Sequence, residues 1–569
     1  MAEVTTRRLQ CIRSIRNAGC IMLLIVAHAT AEATYATAQT TRAAPRVALD
    51  AGVIEGAYIG AARNEAVFRG IPFAAPPVGT LRWKPPEPVR PWRGVRAARE
   101  FPPICAQHLY AQEYFGGISS RVGGRVLPQR PLTTSEDCLY LNVWTANLGS
   151  SRHLPVMVWV HGGGNNGGWG TQATTDGEFL ARKGVVLVMI EYRVGALGFL
   201  ADSSLSAESP HHSSGNYGLL DQIAALHWVQ RNIAAFGGDP SRVTIFGQSS
   251  GALDVTCLTV SPLAAGLFQR VISESGACTG PFAQLGQAVT SSSEHEAAES
   301  SGRRLAADLG VAHARDPLAA MRARSADEIV AAAFADGAVA HEVIVDGWVI
   351  PEQPDIVLAQ GRQQSVPLLI GSNADEYRTL ARSFTVKSMA QYPEHLLAAL
   401  GTSAPLRPLL PRLLAVYPAR DTAEAERRLF EVNTDGFGGS ARYFARAMER
   451  SGEHNVYLYY FTHVIPTPGG MKLGAFHTGE MPFVFGSDPG WPHGPRDAAL
   501  RDAISGYWVQ FATTGNPNRT RLPAWPKYDA VTDRYLELGD QIHARSHIRQ
   551  AQYDLQDAAQ SALDAMLTR

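Results

Sequence analysis

From Val156 onward the chain alternates continuous apolar runs with helical stretches. The runs are Val156 to Val160, Val185 to Ile190, Val243 to Phe246, Val271 to Ser273, Leu368 to Gly371 and Val456 to Phe461. Strands covered on both faces carry unbroken apolar runs of this kind, whereas a half-exposed strand alternates. Between them, the stretch from Asp221 to Ala235 presents Ile223, Leu226, Val229 and Ile233 at three- and four-residue steps, which makes one buried stripe. Leu500, Ile504, Tyr507, Trp508 and Phe511 repeat that stripe, and their aromatic rings read as core. The alternation predicts an α/β fold, a large mostly parallel central sheet flanked by helices. Upstream, to about residue 100, short β-like segments are broken by turns. The prolines between Phe68 and Gly79 argue against helix there, so a small N-terminal β region is expected. Segments 294–362 and 388–450 are rich in Ala, Leu and Arg and helical in pattern. They read as insertions that cover the sheet and shape the mouth of a site, within one domain spanning 44–569.

The N-terminal 38 residues depart from this pattern. Arg7, Arg8, Arg13 and Arg16 precede the apolar stretch Cys20 to Ala27, and small-residue sites follow at Ala31, Ala33 and Ala38. That order predicts a signal peptide cleaved near 31–38 and an exported protein, periplasmic or secreted. The apolar stretch is shorter than the roughly 20 residues needed to span a bilayer, so no stable membrane insertion is expected after cleavage. Export leaves Cys105, Cys138, Cys257 and Cys278, an even number that permits two disulfides. Cys105 and Cys138 bracket a Gly- and Pro-rich loop that a bridge would pin. Cys257 reads either as a buried thiol or as a partner of Cys278. A formal net charge of -1 supplies no field to attract nucleic acid or an anionic membrane.

The candidate chemistry begins at Gly247-Gln248-Ser249-Ser250-Gly251. It follows the strand Val243 to Phe246 and leads into Ala252-Leu253-Asp254-Val255. A serine between glycines on a strand-to-helix turn is a nucleophile elbow, which projects Oγ toward a substrate. A serine hydroxyl needs a base, and the base needs an acid to fix its tautomer. The strand at 368–370 runs into Gly371-Ser372-Asn373-Ala374-Asp375-Glu376, and the turn at 474–480 supplies His477. The order Ser, acid, His is that of α/β-hydrolases. The strand Val156 to Val160 feeds His161-Gly162-Gly163-Gly164, whose amides can approach a developing oxyanion without a Cβ in the way. A phosphate-binding loop is disfavoured because no Lys-Ser/Thr pair follows the glycines.

Taken together these segments resemble the type-B carboxylesterases, the branch of α/β-hydrolases that includes the cholinesterases. The resemblance runs through FRGIPFAAPPVGTLRW, SEDCLYLNVW, VHGGG, EYRVGALGFL, GNYGLLDQ, the segment from Trp228 to Gly251, GSNADE and GAFHTGEMPFVFG. It implies an α/β-hydrolase fold with Ser249 as nucleophile, Glu376 as acid and His477 as base. Gly163, Gly164 and Ser250 would supply oxyanion-hole amides, and Cys105 and Cys138 would form a disulfide. It implies a small-molecule ester substrate, no cofactor and no metal, in a monomer or weak homodimer.

Three departures bear on substrate. Cholinesterases hold a quaternary ammonium with a tryptophan in the first disulfide loop, and here 106–137 contains Tyr110, Tyr114 and Phe115 but no tryptophan. Choline esters are therefore poor candidates. Gln248 stands where many relatives have glutamate, which removes repulsion toward an anionic substrate. Asn165 and Asn166 follow the triple glycine where an aromatic residue is common. These residues are expected to line a polar pocket, which suggests an ester of a polycarboxylic acid such as the tricarballylate esters of fumonisin-type toxins. The alternative is neutral variation in a general carboxylesterase. A non-catalytic adhesion module of cholinesterase type would lack a triad member, and all three are present.

Overall fold

Successive residues of a strand point to opposite faces, so a sheet covered on both sides needs two apolar sets from each strand. The computed structural model describes residues 43–60, 64–126, 131–149, 152–286, 297–334, 342–381, 383–401 and 403–567. The segment read as a signal peptide lies outside them. Among the described residues eleven strands form the main sheet: β1 (Ala57–Ile59), β2 (Glu65–Pro72), β3 (Tyr140–Thr145), β4 (Leu154–Val160), β5 (Val186–Ile190), β6 (Gly238–Gln248), β7 (Arg270–Glu274), β8 (Leu368–Asn373), β9 (Val456–Phe461), β10 (Arg534–Leu538) and β11 (Ile542–Ser546). Their spatial order is β11-β10-β9-β8-β7-β6-β4-β5-β3-β2-β1. The strands from β5 to β10 pair in parallel, while β1, β2, β3 and β11 run antiparallel at the two edges. This is the mostly parallel sheet that the apolar runs predict. Two small sheets of short strands accompany it in the N-terminal third.

The two apolar sets are visible in β4. Val156, Val158 and Val160 enter one core with Leu226 and Val229, whereas Met157 and Trp159 enter the other with Ile504 and Trp508. Among the helices that cover the faces are α1 (Tyr110–Arg121), α2 (Tyr217–Asn232), α3 (Ser250–Cys257), α4 (Thr422–Arg450), α5 (Asp497–Thr514) and α6 (Gln550–Leu567). Helix α2 begins four residues before the predicted start. Asp221 is fully buried there in an ion pair with Arg193 at 2.8 Å. Within the two Ala-rich segments the chain forms helices at Ser300–Asp308, Pro317–Arg322, Ala326–Phe334, Tyr392–Ala398 and α4.

Both candidate cysteine pairs are bridged. Cys105–Cys138 has Cα atoms 4.9 Å apart and Cys257–Cys278 has them 5.0 Å apart. The second bridge ties the end of α3 to the loop after β7, a pairing that the sequence leaves open. Among the described residues no helix is long and apolar enough to cross a membrane.

Candidate active site

The central parallel strands run the same way, so the loops that leave β4, β6, β8 and β9 emerge on one edge of the sheet, where α/β folds collect ligands. At the end of β6, Ser249 takes φ 59° and ψ -127°. A non-glycine residue in such a region is held by its surroundings at a cost of about 1–3 kcal/mol. Here the Ser249 amide donates to the Glu274 carbonyl at 2.8 Å, and the Ser249 carbonyl accepts from Ala252 and Leu253 as α3 starts. Gly251 must be glycine because a Cβ there would strike the carbonyls of Val160 and His161. The elbow is thus pressed directly against the loop that leaves β4.

In that loop Gly163 has φ 130°, and a Cβ would collide with the Gly167 carbonyl. The amides of Gly163 and Gly164 donate to no backbone carbonyl among the described residues. Two contacts from the first disulfide loop brace it. The Tyr110 hydroxyl donates to the Gly163 carbonyl, and Gln107 Nε2 donates to the Gly168 carbonyl at 2.8 Å.

Glu376 follows β8 and His477 lies in the loop beyond β9. A bridge between Asp375 and Phe476 and an Asn373 Nδ2 hydrogen bond to the Phe476 carbonyl at 2.8 Å join the two loops. His477 Nδ1 lies 2.6 Å from Glu376 Oε2, and the Asn373 amide donates to Glu376 Oε1 at 2.7 Å. Both side chains are buried. With Nδ1–H donated to the carboxylate, Nε2 is the basic nitrogen. Gln248 Nε2 stands 3.2 Å from it, and the Tyr114 hydroxyl donates to the His477 carbonyl at 3.0 Å.

Ser249, His477, Gln248, Gly162, Gly163 and Gly164 all line one cavity of about 280 Å³, completed by Tyr110, Ala111, Tyr114, Phe115, Gln172, Leu380, Thr478 and Met481. Among the described residues no lysine or arginine lines it. Ser250 opens α3 beside Ser249. The two asparagines sit elsewhere than the sequence suggests. Asn165, at φ 53°, turns its side chain into the interior to donate to Asp254, and Asn166 faces a separate crevice beside Phe334. Neither lines the cavity. Among the described residues there is no cluster of side chains that could hold a metal ion.

Sequence reasoning also passes over Glu480, three residues after His477. It is buried, accepts from Asn373 Nδ2, and is pushed up to about 7 first by burial and next by the charge of Glu376. Burial raises Glu274 as well, aided by the charge of Glu480. The folded chain therefore holds the Glu480 proton more tightly than the unfolded chain. The associated stability is fully present below about pH 4.5 and is lost as pH rises through about 7. Glu480→Gln, neutral throughout, is expected to flatten the fall of Tm with pH across that window. Parallel Tm curves for the two proteins would contradict this.

The sheet and the serine elbow define an α/β-hydrolase. The profile of the Carboxylesterase family matches residues 43–556. The chain belongs to that family and is a carboxylic ester hydrolase. It is 36% identical over 506 residues to a fumonisin B1 esterase of Sphingopyxis macrogoltabida, covering 86% of each chain. To carboxylesterase 1D of Rattus norvegicus it is 33% identical over 546 residues, covering 88% of this chain and 90% of the other. Among solved structures, a PNB esterase superposes with a TM-score of 0.75 at 30% identity over 90% of this chain and 99% of that one.

Proposed function

We propose that ester hydrolysis proceeds through an acyl-enzyme on Ser249, with His477 as the base, Glu376 as its acidic partner, and the amides of Gly163, Gly164 and Ser250 as the oxyanion hole. The observation that carries this reading is the cavity itself. It is lined by both Ser249 and His477, and the His477 Nδ1 lies 2.6 Å from a buried carboxylate, which supports the pairing. In the first half-reaction His477 Nε2 takes the serine proton as Oγ bonds to the ester carbonyl. The tetrahedral oxyanion collapses, the C–O bond breaks, and the same proton passes to the departing alcohol. In the second half a water loses its proton to Nε2 and attacks the acyl carbonyl. The proton returns to Oγ as the acid leaves. Each oxyanion donor is worth about 2.7–4 kcal/mol.

Ala111, Phe115, Leu380 and Met481 give the cavity an apolar wall suited to a neutral acyl or alcohol group, which supports a general carboxylesterase. Likeness to a fumonisin B1 esterase favours a second reading, hydrolysis of polycarboxylic esters of the tricarballylate type. With no cation in the wall, the free carboxylates of such a substrate would have to remain solvated at the mouth. We further propose export of a mature chain, cleaved near residues 31–38, as a monomer or weak homodimer. The two disulfides accord with an oxidising compartment. The Ala-rich segments would act as helical insertions around the mouth.

A pair of size-matched p-nitrophenyl esters, a neutral butyrate and an anionic succinate, tests substrate class. The general reading expects higher kcat/KM for the neutral ester, and the polycarboxylate reading expects the reverse. Gln248→Glu sharpens the test. A carboxylate about 3.2 Å from Nε2 favours imidazolium, so the acid limb of the rate profile should move to higher pH for both esters. Repulsion should in addition cost the anionic ester about tenfold relative to the neutral one. Equal losses at saturating pH would make Gln248 irrelevant to substrate charge. An unmoved acid limb would contradict its contact with His477.

A further inference from the structure

Asn165 is the first residue after the glycines of the oxyanion loop, and its left-handed backbone aims its side chain inward, away from substrate. Every polar atom of that side chain has a buried partner. Nδ2 donates to Asp254 Oδ1 at 2.9 Å, and Oδ1 lies 3.2 Å from the Tyr192 hydroxyl. Its carbonyl accepts from the Gly195 amide at 2.6 Å. Asp254 belongs to α3, the helix that Ser249 initiates, and is fully buried. Its second oxygen accepts from Gln222 Nε2 on α2 at 2.6 Å. Burial pushes the Asp254 carboxyl up to about 7, against the pull of these two amide donors. Tyr192 completes the circuit by donating to the His161 carbonyl at 2.7 Å, at the root of the same loop.

The loop and the helix carry the two halves of the oxyanion hole. Gly163 and Gly164 stand on one side and the Ser250 amide on the other. We propose that the Asn165–Asp254 hydrogen bond is a latch that sets the spacing between those halves, making Asn165 and Asp254 positioning residues for stabilisation of the tetrahedral intermediate. The inference rests on the assignment of Ser249 and the three amides given above. A buried carboxylate is a costly anchor, and one tied to the oxyanion loop through a single amide fixes that loop with a directional bond where a packed apolar side chain could slide. Displacements of about 1 Å in such geometry cost on the order of a hundredfold in rate.

The chemistry of the pair supplies its own control. Asn165→Asp removes the amide donor and sets a second carboxyl group against Asp254, whereas Asp254→Asn can keep the bond, because Gln222 can turn its otherwise unpartnered Oε1 to the new NH2 while the new amide oxygen accepts from Asn165. Combining the two substitutions restores every bond with its direction reversed across the pair. The new carboxylate at position 165 accepts from the new amide at position 254, and the oxygen of that amide accepts from Gln222. Asn165→Asp is expected to lose about 30- to 100-fold in kcat with KM changed less than about threefold. The double variant should recover to within about fivefold of the parent. Affinity for a trifluoromethyl ketone, which forms a tetrahedral adduct on the serine, should fall and recover in proportion. Asn165→Gly suits φ 53° and introduces no mismatched polar group, so it should fold while losing kcat in the same way. Parent-like kcat in Asn165→Gly overturns the proposal. So does loss of kcat without loss of ketone affinity, or a folded double variant no better than Asn165→Asp. Labelling of the parent by an organophosphonate at a residue other than Ser249 would instead defeat the underlying assignment, independently of the latch.

Discussion

Ser249→Ala is expected to lower ester turnover by about four to six orders of magnitude while leaving the fold intact. The loss follows from the geometry: the only other aliphatic hydroxyl among the cavity-lining residues is that of Thr478, which adjoins the histidine in sequence and does not sit on the elbow. The fold is spared because Ser249 lines a cavity and belongs to neither core, so the substitution opens no void in them. Alanine inherits the same strained backbone at φ 59° and ψ -127°. Glycine does not, so Ser249→Gly should be equally inactive yet more stable than Ser249→Ala by about 1 kcal/mol. Steady-state hydrolysis of a p-nitrophenyl ester, peptide mapping after organophosphonate labelling, and thermal melts decide the matter. Turnover above about one per cent of the parent, or label recovered on another residue, would remove Ser249 from the role.

The residues on the loops leaving β4, β6, β8 and β9 were legible because each follows an apolar run that could only be a buried strand, and a short glycine- or turn-rich segment marks its end. Gly163, Ser249, Glu376 and His477 inherit their positions from that alternation. The antiparallel edges were less so. The segment Tyr140–Thr145 carries Asn142 amid apolar neighbours, and its fully buried side chain accepts through Oδ1 from the Gly70 amide of β2, a long-range contact with no local signature. Asn165 shows the same limit at the site. Its place after three glycines suggests a pocket residue, and its partner Asp254 lies 89 residues away on another element. What redirects the side chain is a left-handed backbone angle and a buried acceptor, and neither is written in the surrounding sequence. Glu480 had a signal, an acid three residues beyond His477, but its charge state depends on burial against Glu376 and Glu274.

Glu376→Gln is expected to cost about 10³- to 10⁴-fold in kcat, an effect larger than removal of a single oxyanion donor, because it changes which nitrogen of His477 carries the proton. Glu376 uses both carboxylate oxygens as acceptors, one for the Asn373 backbone amide at 2.7 Å and one for His477 Nδ1 at 2.6 Å. Glutamine has only one oxygen. The backbone N–H cannot reverse, so the oxygen must stay with Asn373 and the amide NH2 must face the ring. Nδ1 then becomes the acceptor and the proton moves to Nε2, which can no longer take one from Ser249. Gln248, already 3.2 Å from Nε2 through its own amide nitrogen, would then oppose a donor with a donor. The variant also removes the charge that helps to raise Glu480, so its Tm should fall less steeply than that of the parent between about pH 4.5 and 7. Retention of a tenth or more of parental kcat would show that the carboxylate does not select the tautomer. A lost rate with an unchanged slope of Tm against pH would separate that role from the coupling between Glu376 and Glu480.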